Sequence, residues 1–595
     1  MVRLKLHFLV KKFSLLFFLF LSPTGCFFFP GTGSELPSGS LQYITSWQNS
    51  GGIIGQSQRI LLIGPSTRIV DYKILNTSSQ TQSFLFGQQP FGTYEMNVQL
   101  YDGPDGLGKI IGEIRAPIQI GPSTSFFQTV AGAIPKQLRT IASPTIIRAG
   151  ESAQLYAIGL SNSGTPTFLQ PDQTTWTPIN DVNQISPSGI AWSQNSGNAV
   201  ARATYPPLSL TQQVSYQVIP FELQQTAWTV HIFLNAVSDL QPYSTLNIED
   251  ILSVATNPEV RFIIQWKQNP AIVPGSTFNG TRRYLIQANA SGTPTLRIVQ
   301  DLGTAINMGS AQTLNDFLNY GFARYPSQRA LGIMWSHGRG WKRSQKFGHA
   351  TRSFSEDIIG GLNYSIQTWE LPQALAGHTF DLFAWDASLM QMIEVAYELK
   401  NSARYVIGSE ESPPASGYPY RLVFKPFMNN PSAPSDTLAS SFVSAMLNYS
   451  PYVNRKITQS VMDTTLLPPL APAIQQLAIA LVNNLSAVTT ATLQSRLQSQ
   501  TYGQDIGAYY YDFIDLSTKM QLIGVPPEVA SAFNDATSIL QNAIVFEGHN
   551  SLSPGSHGAS IDFSPSSVFA GLLADYQQLL FDQESHWSRW LQVAP

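Results

Sequence analysis

The sequence predicts a multidomain protein in which an all-β N-terminal part precedes an α/β domain. Between about residues 46 and 222, short strands with alternating polarity recur about every 8 to 12 residues, as is typical of β-sandwiches. After Gln225 the apolar runs become nearly continuous and alternate with helical stretches, which indicates a largely parallel sheet buried on both faces. Helical patterns then dominate the C-terminal part, so we expect helical additions to the α/β domain.

The length of the chain indicates more than one domain, and its charge argues against nucleic acid as a partner. With 595 residues, the chain is longer than a single hydrophobic core usually organises. Charged residues make up only 12%, about half the usual share. The net charge of −3 leaves no basic field for phosphate groups, so we expect no binding to nucleic acid.

The first 26 residues have the pattern of an export signal. Four basic residues precede the apolar run 13–21, and the run breaks at Ser22-Pro23. Cys26, the only cysteine in the chain, follows Thr24-Gly25, and this segment resembles a bacterial lipobox in which the cysteine is acylated. We therefore expect an exported cell-envelope lipoprotein, periplasmic or surface-exposed and anchored to the membrane through Cys26; a plain signal peptide and an uncleaved anchor remain alternatives.

The remaining chain divides into four predicted parts. Residues 27–45, rich in Gly, Pro and Ser, are expected to form a tether. Residues 46–136 contain a hairpin pattern and predict a β-sandwich module. Residues 137–222 loosely resemble a bacterial immunoglobulin-like domain through AGESAQLYA and AWSQNSGNAVA. Residues 226–595 form the predicted α/β domain.

Polar side chains follow three of the buried strands predicted in this domain. ALGIMW leads to His337, DLFAW leads to Asp386-Ala387-Ser388, and ARYVIG leads to Ser409-Glu410-Glu411. The carboxyl ends of parallel strands meet at one edge of a sheet, where loops and helix N-termini form binding sites. We therefore expect His337, Ser388 and the acidic residues to lie at one site.

These segments carry a resemblance to a known family. WTVHIFLNAVSDL, NIEDI, WSHGRGW, DLFAWDASLMQMIEVAYEL, IGSEESPPASGYPY and HGASIDFSP occur in the order found in the clostripain family, secreted bacterial cysteine endopeptidases that cut after Arg or Lys. The resemblance spans about 226 to 594 and implies a caspase-like fold. The family carries cysteine at the position of Ser388, so the departure falls on the nucleophile.

The resemblance implies a role for each residue of the site. His337 would be the general acid or base, and Gly338 with a neighbouring amide would form an oxyanion hole. Asp386, helped by Glu410 or Glu411, would line a substrate-binding pocket for a basic side chain. The open alternatives are a histidine satisfied within its turn and acids that are simply solvated at strand ends.

Serine is a poor substitute for cysteine in this setting. Ionising an alcohol instead of a thiol requires roughly 7 more pKa units, or on the order of 10 kcal/mol. A serine enzyme avoids this with a histidine in hydrogen-bond contact and a carboxylate that orients it. We therefore expect Ser388 to be catalytically silent; weak serine chemistry and capping of a helix starting at Leu389 are the alternatives.

The sequence thus predicts a pseudopeptidase that binds peptide or protein segments containing Arg or Lys. One alternative is an active endopeptidase that uses Ser388 and His337, and another is a structural or adhesive surface protein.

Family members often cut themselves after a basic residue between the histidine and the nucleophile. The candidate cleavage residues here are Lys342, Arg343, Lys346 and Arg352. The alternative is that these residues simply form a charged surface loop. We expect no cofactor and no metal site, since His349 and His337 lack a partner at metal-ligand spacing. The resemblance leaves calcium, which some family members use, as the alternative, with ligands that the sequence does not identify.

Overall fold

A computed structural model describes most of the chain from residue 38 onward. The described residues are 38–64, 69–180, 184–269, 278–342, 353–359, 362–504, 507 and 509–595. The predicted signal peptide, with Cys26, lies outside them.

The N-terminal part is built from strands, as predicted. In chain order they are β1 (Ser38–Trp47), β2 (Ser57–Ile63), β3 (Ile69–Asn76), β4 (Gln82–Pro90), β5 (Gly92–Tyr101), β6 (Ile110–Ile120), β7 (Ser125–Ala131), β8 (Gln137–Ser143), β9 (Ile146–Arg148), β10 (Ser152–Leu160), β11 (Pro166–Thr167), β12 (Thr175–Pro178), β13 (Gln184–Ile185), β14 (Ile190–Trp192), β15 (Gly197–Tyr205) and β16 (Leu210–Ile219).

One sheet runs through both predicted β modules. Its strand order is β13-β14-β10-β11-β7-β1-β4, with β8 paired to β10, and two four-stranded sheets, β3-β2-β5-β6 and β12-β15-β16-β9, accompany it. The predicted boundary at residue 136 therefore falls inside one continuous sheet. The tether prediction is also corrected, because residues 38–45 belong to β1, which pairs with β4 and β7.

The α/β part follows from residue 226. Its strands are β17 (Thr226–Asn235), β18 (Val260–Gln268), β19 (Gly280–Ala288), β20 (Pro294–Gly303), β21 (Ser327–Trp335), β22 (Phe354–Ile359), β23 (Leu362–Ile366), β24 (Phe380–Asp386), β25 (Ala403–Gly408), β26 (Thr458–Asp463), β27 (Thr501–Tyr502), β28 (Tyr510–Asp512), β29 (Ile544–His549) and β30 (Ser560–Asp562). Its helices are α1 (Gln241–Val254), α2 (Ala311–Arg324), α3 (Leu371–Ala374), α4 (Ile393–Glu398), α5 (Tyr420–Asn429), α6 (Ser435–Asn448), α7 (Leu470–Asn483), α8 (Leu485–Gln498), α9 (Phe513–Ile523), α10 (Pro527–Ala543), α11 (Ser566–Phe569), α12 (Leu573–Tyr576), α13 (Leu580–Ser585) and α14 (Ser588–Leu591).

A nine-stranded sheet forms the centre of this part. Its order is β20-β19-β18-β17-β21-β24-β25-β26-β29. The five strands from β18 to β25 run parallel, which confirms the predicted α/β architecture. The outer strands β19, β20, β26 and β29 are antiparallel, so the sheet is mixed.

Both faces of this sheet are covered by helices, which explains the continuous apolar runs. Ile232 packs into a core with side chains from α1, α5 and α6. Its neighbour Phe233 points to the opposite face, into a core shared with α2, α4 and α7 to α10. Successive side chains of a strand alternate between faces, so a strand that is buried on both must be apolar throughout.

The β-rich part packs against the edge strand β20. Arg297 on β20 forms an ion pair with Glu151 at 2.7 Å, and the Ser152 hydroxyl donates to the Ile298 carbonyl. The guanidinium of Arg324 lies 3.9 Å from the ring centroid of Phe221. The β-rich part is therefore in direct contact with the α/β part.

One pair of helices has membrane-like composition. No single described helix is long and apolar enough to cross a membrane, while α7 and α8 pass that test together, with a bend of 111° between them.

A buried polar cluster joins Glu394 on α4 to Asp562 on β30. Lys342 Nζ contacts Asp562 Oδ2 at 2.9 Å, and Trp341 Nε1 donates to the same oxygen at 2.9 Å. The backbone amide of Asp562 donates to Glu394 Oε1 at 2.8 Å, and Tyr576 donates to that oxygen at 2.9 Å. Burial, with the nearby Asp562 carboxylate as a second cause, raises the pKa of Glu394 to about 8.

The protonated Glu394 makes stability depend on pH. The native state keeps this proton up to about pH 8, whereas the unfolded chain releases it near 4.5, so this carboxyl lowers the free energy of unfolding as pH rises between those values. Glu394→Gln removes the titration. Measured by urea unfolding, the difference in free energy of unfolding between the variant and wild type should increase by about 4 kcal/mol in favour of the variant from about pH 5 to about pH 9. The exposed Glu528→Gln is the control; a difference that does not change with pH would contradict the assignment.

Candidate active site

Ser388 lies in a short turn after the central strand β24. The strand ends at Asp386, and Leu389 adopts a left-handed backbone conformation with φ of 64°. Helix α4 begins only at Ile393, with Met392 at its N-cap. The helix predicted from Leu389 therefore starts later, and the alternative role of Ser388 as its cap is wrong. The Ser388 hydroxyl forms no hydrogen bond with any residue that the structure describes.

His337 follows the neighbouring strand β21 and contacts a carboxylate. Its Nε2 atom lies 2.6 Å from Asp239 Oδ1. Asp239 lies in the loop between β17 and α1 and is 79% exposed at its side chain, while His337 is 42% exposed. Three adjacent parallel strands thus deliver Asp239, His337 and Ser388 to the same edge of the sheet.

Gly338 brings the histidine loop against the serine turn. A Cβ atom added at this glycine would lie 2.5 Å from the carbonyl oxygen of Ser388 and 3.0 Å from the Ala387 side chain. Only glycine permits this approach. The adjacent amide of Arg339 donates to Ser353 at 3.0 Å, whereas the Gly338 amide has no backbone acceptor among the described residues. This amide is therefore free to polarise a carbonyl, as the oxyanion prediction requires.

Asp386 is a buried carboxyl beside the serine turn. Its Oδ2 accepts hydrogen bonds from the Tyr420 hydroxyl at 2.7 Å and the Tyr418 amide at 3.3 Å. Gly417, in a left-handed conformation, passes so close that an added Cβ would lie 2.6 Å from both carboxylate oxygens. Burial raises the pKa of Asp386 to about 6, and the two tyrosine donors oppose that rise. No basic side chain of the described chain pairs with it.

Glu410 lies elsewhere than predicted. It is 1% exposed and accepts hydrogen bonds from the Ser556 hydroxyl and from the Gly558 amide at 3.1 Å. Burial, with the neighbouring Asp512 carboxylate as a second cause, raises the pKa of Glu410 well above its usual range. The prediction that Glu410 helps Asp386 to bind a basic side chain is therefore corrected: this carboxyl is held within the fold.

Glu411 lines an open cavity of about 790 Å³, which we call the outer cleft. The cleft lies between the loop after β25, the start of α1 and the segment before β26. Its walls include Tyr243, Glu411, Ser416, Tyr452, Arg455 and Lys456. Glu411 forms an ion pair with Lys456 at 3.5 Å, so its charge is already matched.

The predicted processing loop is placed only in part. Lys342 is 7% exposed and paired with Asp562, so it is not an accessible cleavage residue. Arg343, Lys346, His349 and Arg352 lie outside the described residues. Within the parts of the chain that the structure describes, no group of three or more His, Cys, Asp or Glu side chains is arranged to hold a metal ion.

The family model of the clostripain family, Peptidase_C11, matches residues 253–592, more than half of the chain. The chain belongs to the clostripain family. This confirms the family suggested by the sequence motifs. The match begins after β17 and extends almost to the C-terminus, so it contains His337, Ser388 and the loop after β25 but leaves out Asp239.

Two solved structures of clostripain-family proteins are similar to this chain. An inactive zymogen C11 protease from Parabacteroides distasonis is 19% identical with a TM-score of 0.47, over 61% of this chain and 99% of that chain. A secreted C11 cysteine protease from Bacteroides thetaiotaomicron, in complex with an irreversible peptide inhibitor, is 19% identical with a TM-score of 0.45, over the same shares. No curated protein matches this chain.

One residue of the site, Asp239, lies within a family motif but received no role from the sequence. Asp239 lies within the segment AVSDL, in the loop that follows the first strand of the α/β part. Its position at the carboxyl end of a strand adjacent to that of His337 is the feature that could have identified it. Exposed loop acids are common, however, and the sequence alone does not distinguish this one.

Proposed function

We propose that this protein is an exported clostripain-family homologue that binds peptide or protein segments containing Arg or Lys without cleaving them. The pattern of residues 1–26 supports export and lipid attachment at Cys26. The loss of the cysteine nucleophile and the geometry of His337 support the absence of cleavage. Asp386 supports the preference for a basic side chain.

One observation carries this proposal: His337 Nε2 pairs with Asp239, and no hydrogen bond joins His337 to Ser388. A hydroxyl is a weak nucleophile unless a base removes its proton during attack. Without that contact, serine retains its full ionisation barrier, and correct positioning of the carbonyl by Gly338 does not compensate. Binding of a basic side chain at Asp386 requires none of these steps.

Asp386 is the acid best placed to select a basic ligand. It sits beside Ser388, keeps 7% of its surface exposed, and has no cationic partner among the described residues. A carboxylate in such a poorly hydrated place gains more from an incoming guanidinium or ammonium than an exposed one does. The Tyr418 and Tyr420 donors fix its orientation.

Asp386→Asn should weaken binding of Arg- or Lys-containing peptides about 10-fold, measured by fluorescence anisotropy with labelled peptides. The amide oxygen can still accept from both tyrosines, so the fold should be preserved. Because protonation below about pH 6 removes the charge, wild-type affinity should fall there and the variant's should not. The exposed Asp535→Asn on α10 is the control; unchanged affinity in Asp386→Asn would refute a basic-side-chain pocket.

The rival candidate is an active endopeptidase, and the Asp239–His337 contact is the observation in its favour. Serine hydrolases orient their histidine with a carboxylate, and this pair supplies one. Wild-type cleavage of fluorogenic Arg or Lys peptides that disappears in both Ser388→Ala and Asp239→Asn would establish this rival. The absence of turnover in wild type, together with retained peptide binding, would establish the binding function.

A further inference from the structure

The outer cleft carries a charge opposite to that of Asp386. Its lining contains two cations, Arg455 and Lys456, and one carboxylate, Glu411. Lys456 is paired with Glu411 at 3.5 Å. The guanidinium of Arg455 forms no ion pair with any residue in the described part of the chain. One cation therefore remains unmatched at the wall of a cavity large enough for several side chains.

The cleft and Asp386 are separated by a thin wall. Ser416 and Tyr452 line the cleft, and their hydroxyl oxygens lie 2.7 Å apart. The Tyr452 hydroxyl also donates to the Gly417 carbonyl at 2.6 Å, and the other side of Gly417 abuts the Asp386 carboxylate. The negative Asp386 and the outer cleft, whose lining includes the positive Arg455, thus lie on opposite sides of the backbone turn at Gly417.

The remaining walls suit a peptide chain. Tyr243 presents an aromatic ring with a hydroxyl group, and Pro413 and Pro414 present apolar surface. An extended segment placed here would have contacts for its backbone and apolar atoms, with Arg455 as the unpaired charge. A guanidinium recognises a carboxylate through two parallel hydrogen bonds, which gives specificity for an acidic side chain.

We propose that the outer cleft is a second subsite that binds the carboxylate of an Asp or Glu side chain through Arg455. The ligand is then a segment that carries an acidic residue within a few positions of its Arg or Lys. This inference deepens the proposed function, on which the basic half of the ligand rests. It also assigns a role to the loop 411–416 and to the segment 451–456, which the basic pocket alone does not use.

The test compares labelled peptides that differ only in charge. One set carries Lys with Glu placed one, two or three positions away on either side; matched sets replace Glu by Gln, Lys by norleucine, or both. Fluorescence anisotropy with the full chain should show about 10-fold tighter binding of the best Lys-Glu peptide than of its Lys-Gln partner. This preference should shrink as salt increases, because Arg455 is exposed.

Variants then assign the preference to one side chain. Arg455→Gln should abolish the difference between Glu and Gln peptides, and Arg455→Glu should reverse it in favour of Lys at the same position. Arg404→Gln is the control, because Arg404 lies outside the cleft and is 59% exposed at its side chain. A Glu preference that persists in Arg455→Gln would overturn the assignment.

The outcomes separate this inference from the proposed function. Asp386-dependent binding of Lys peptides with no effect of Glu would overturn the acidic subsite and leave the proposed function standing. Arg455-dependent binding of Glu peptides that ignores Lys and Asp386 would support the subsite and remove the basic pocket. Binding of none of the peptides would overturn both.

Discussion

Replacing Ser388 with cysteine should raise the peptidase activity of this protein well above that of wild type. The substitution lowers the pKa of the nucleophile by roughly 7 units, which removes the barrier that His337 is not placed to relieve. We expect at least about 100-fold more turnover of fluorogenic Arg or Lys peptides than in wild type. Gly338 already packs on the Ser388 carbonyl, so the oxyanion position needs no rearrangement.

The measurement has a built-in chemical check. Cys26 is the only cysteine of the chain, so a Cys26→Ser background contains no thiol. In that background, alkylation by iodoacetamide reports on the thiol introduced at position 388 alone, and its rate against pH gives the pKa of that thiol. Loss of the new activity in a further His337→Ala change would confirm the role of the histidine. Wild-type turnover equal to that of Ser388→Cys would contradict the prediction that the Ser388 hydroxyl is a much weaker nucleophile than a thiol at this position.

Lys342→Met should destabilise the protein by about 3 to 5 kcal/mol, because it leaves Asp562 charged and buried without its cation. Lys342 is 9% exposed at its side chain, and Asp562 is fully buried. Lys342 Nζ also donates to the Ser564 hydroxyl at 2.9 Å, so the change removes two contacts. Since Lys342 follows the WSHGRGW segment closely, the same change should loosen the loop that holds His337.

Urea unfolding followed by tryptophan fluorescence measures this effect. Lys342→Met/Asp562→Asn, which removes both charges, should recover most of the loss. Lys519→Met serves as the matched control, because Lys519 is 31% exposed and its i,i+4 contact with Asp515 is 3.7 Å. Because this contact is longer and its lysine is partly exposed, the Lys519–Asp515 pair should contribute less than about 1 kcal/mol. A loss in Lys342→Met as small as in this control would show that the buried pair contributes little.

The sequence predicted the parallel core because burial on both faces leaves a clear pattern. The five parallel strands are mainly apolar, and four of them, β17, β21, β24 and β25, end near a residue of the candidate site. The antiparallel strands β19 and β20 mix polar and apolar residues and lie at one edge of the nine-stranded sheet. Their residue pattern therefore does not indicate whether they run parallel or antiparallel to their neighbours. Their place in the sheet depends on long-range contacts.

The site was predictable in position but not in detail. His337, Gly338 and Ser388 come together because strand order alone places their loops side by side. The environment of Glu410 depends on Asp512, Ser556 and Gly558, which are more than a hundred residues away in sequence. The contact of His337 with Asp239 likewise depends on loop geometry. Neighbouring acids such as Glu410 and Glu411 can thus face entirely different surroundings.

The contact between Ser152 and the Ile298 carbonyl has a consequence for solubility. Strand β20 ends the nine-stranded sheet, and an uncovered outermost strand offers its backbone groups to any other chain. The β-rich part occupies that position through Ser152, Glu151 and Arg297. A fragment that began near residue 226 would lose this cover, so we expect it to self-associate more readily than a chain that includes the β-rich part.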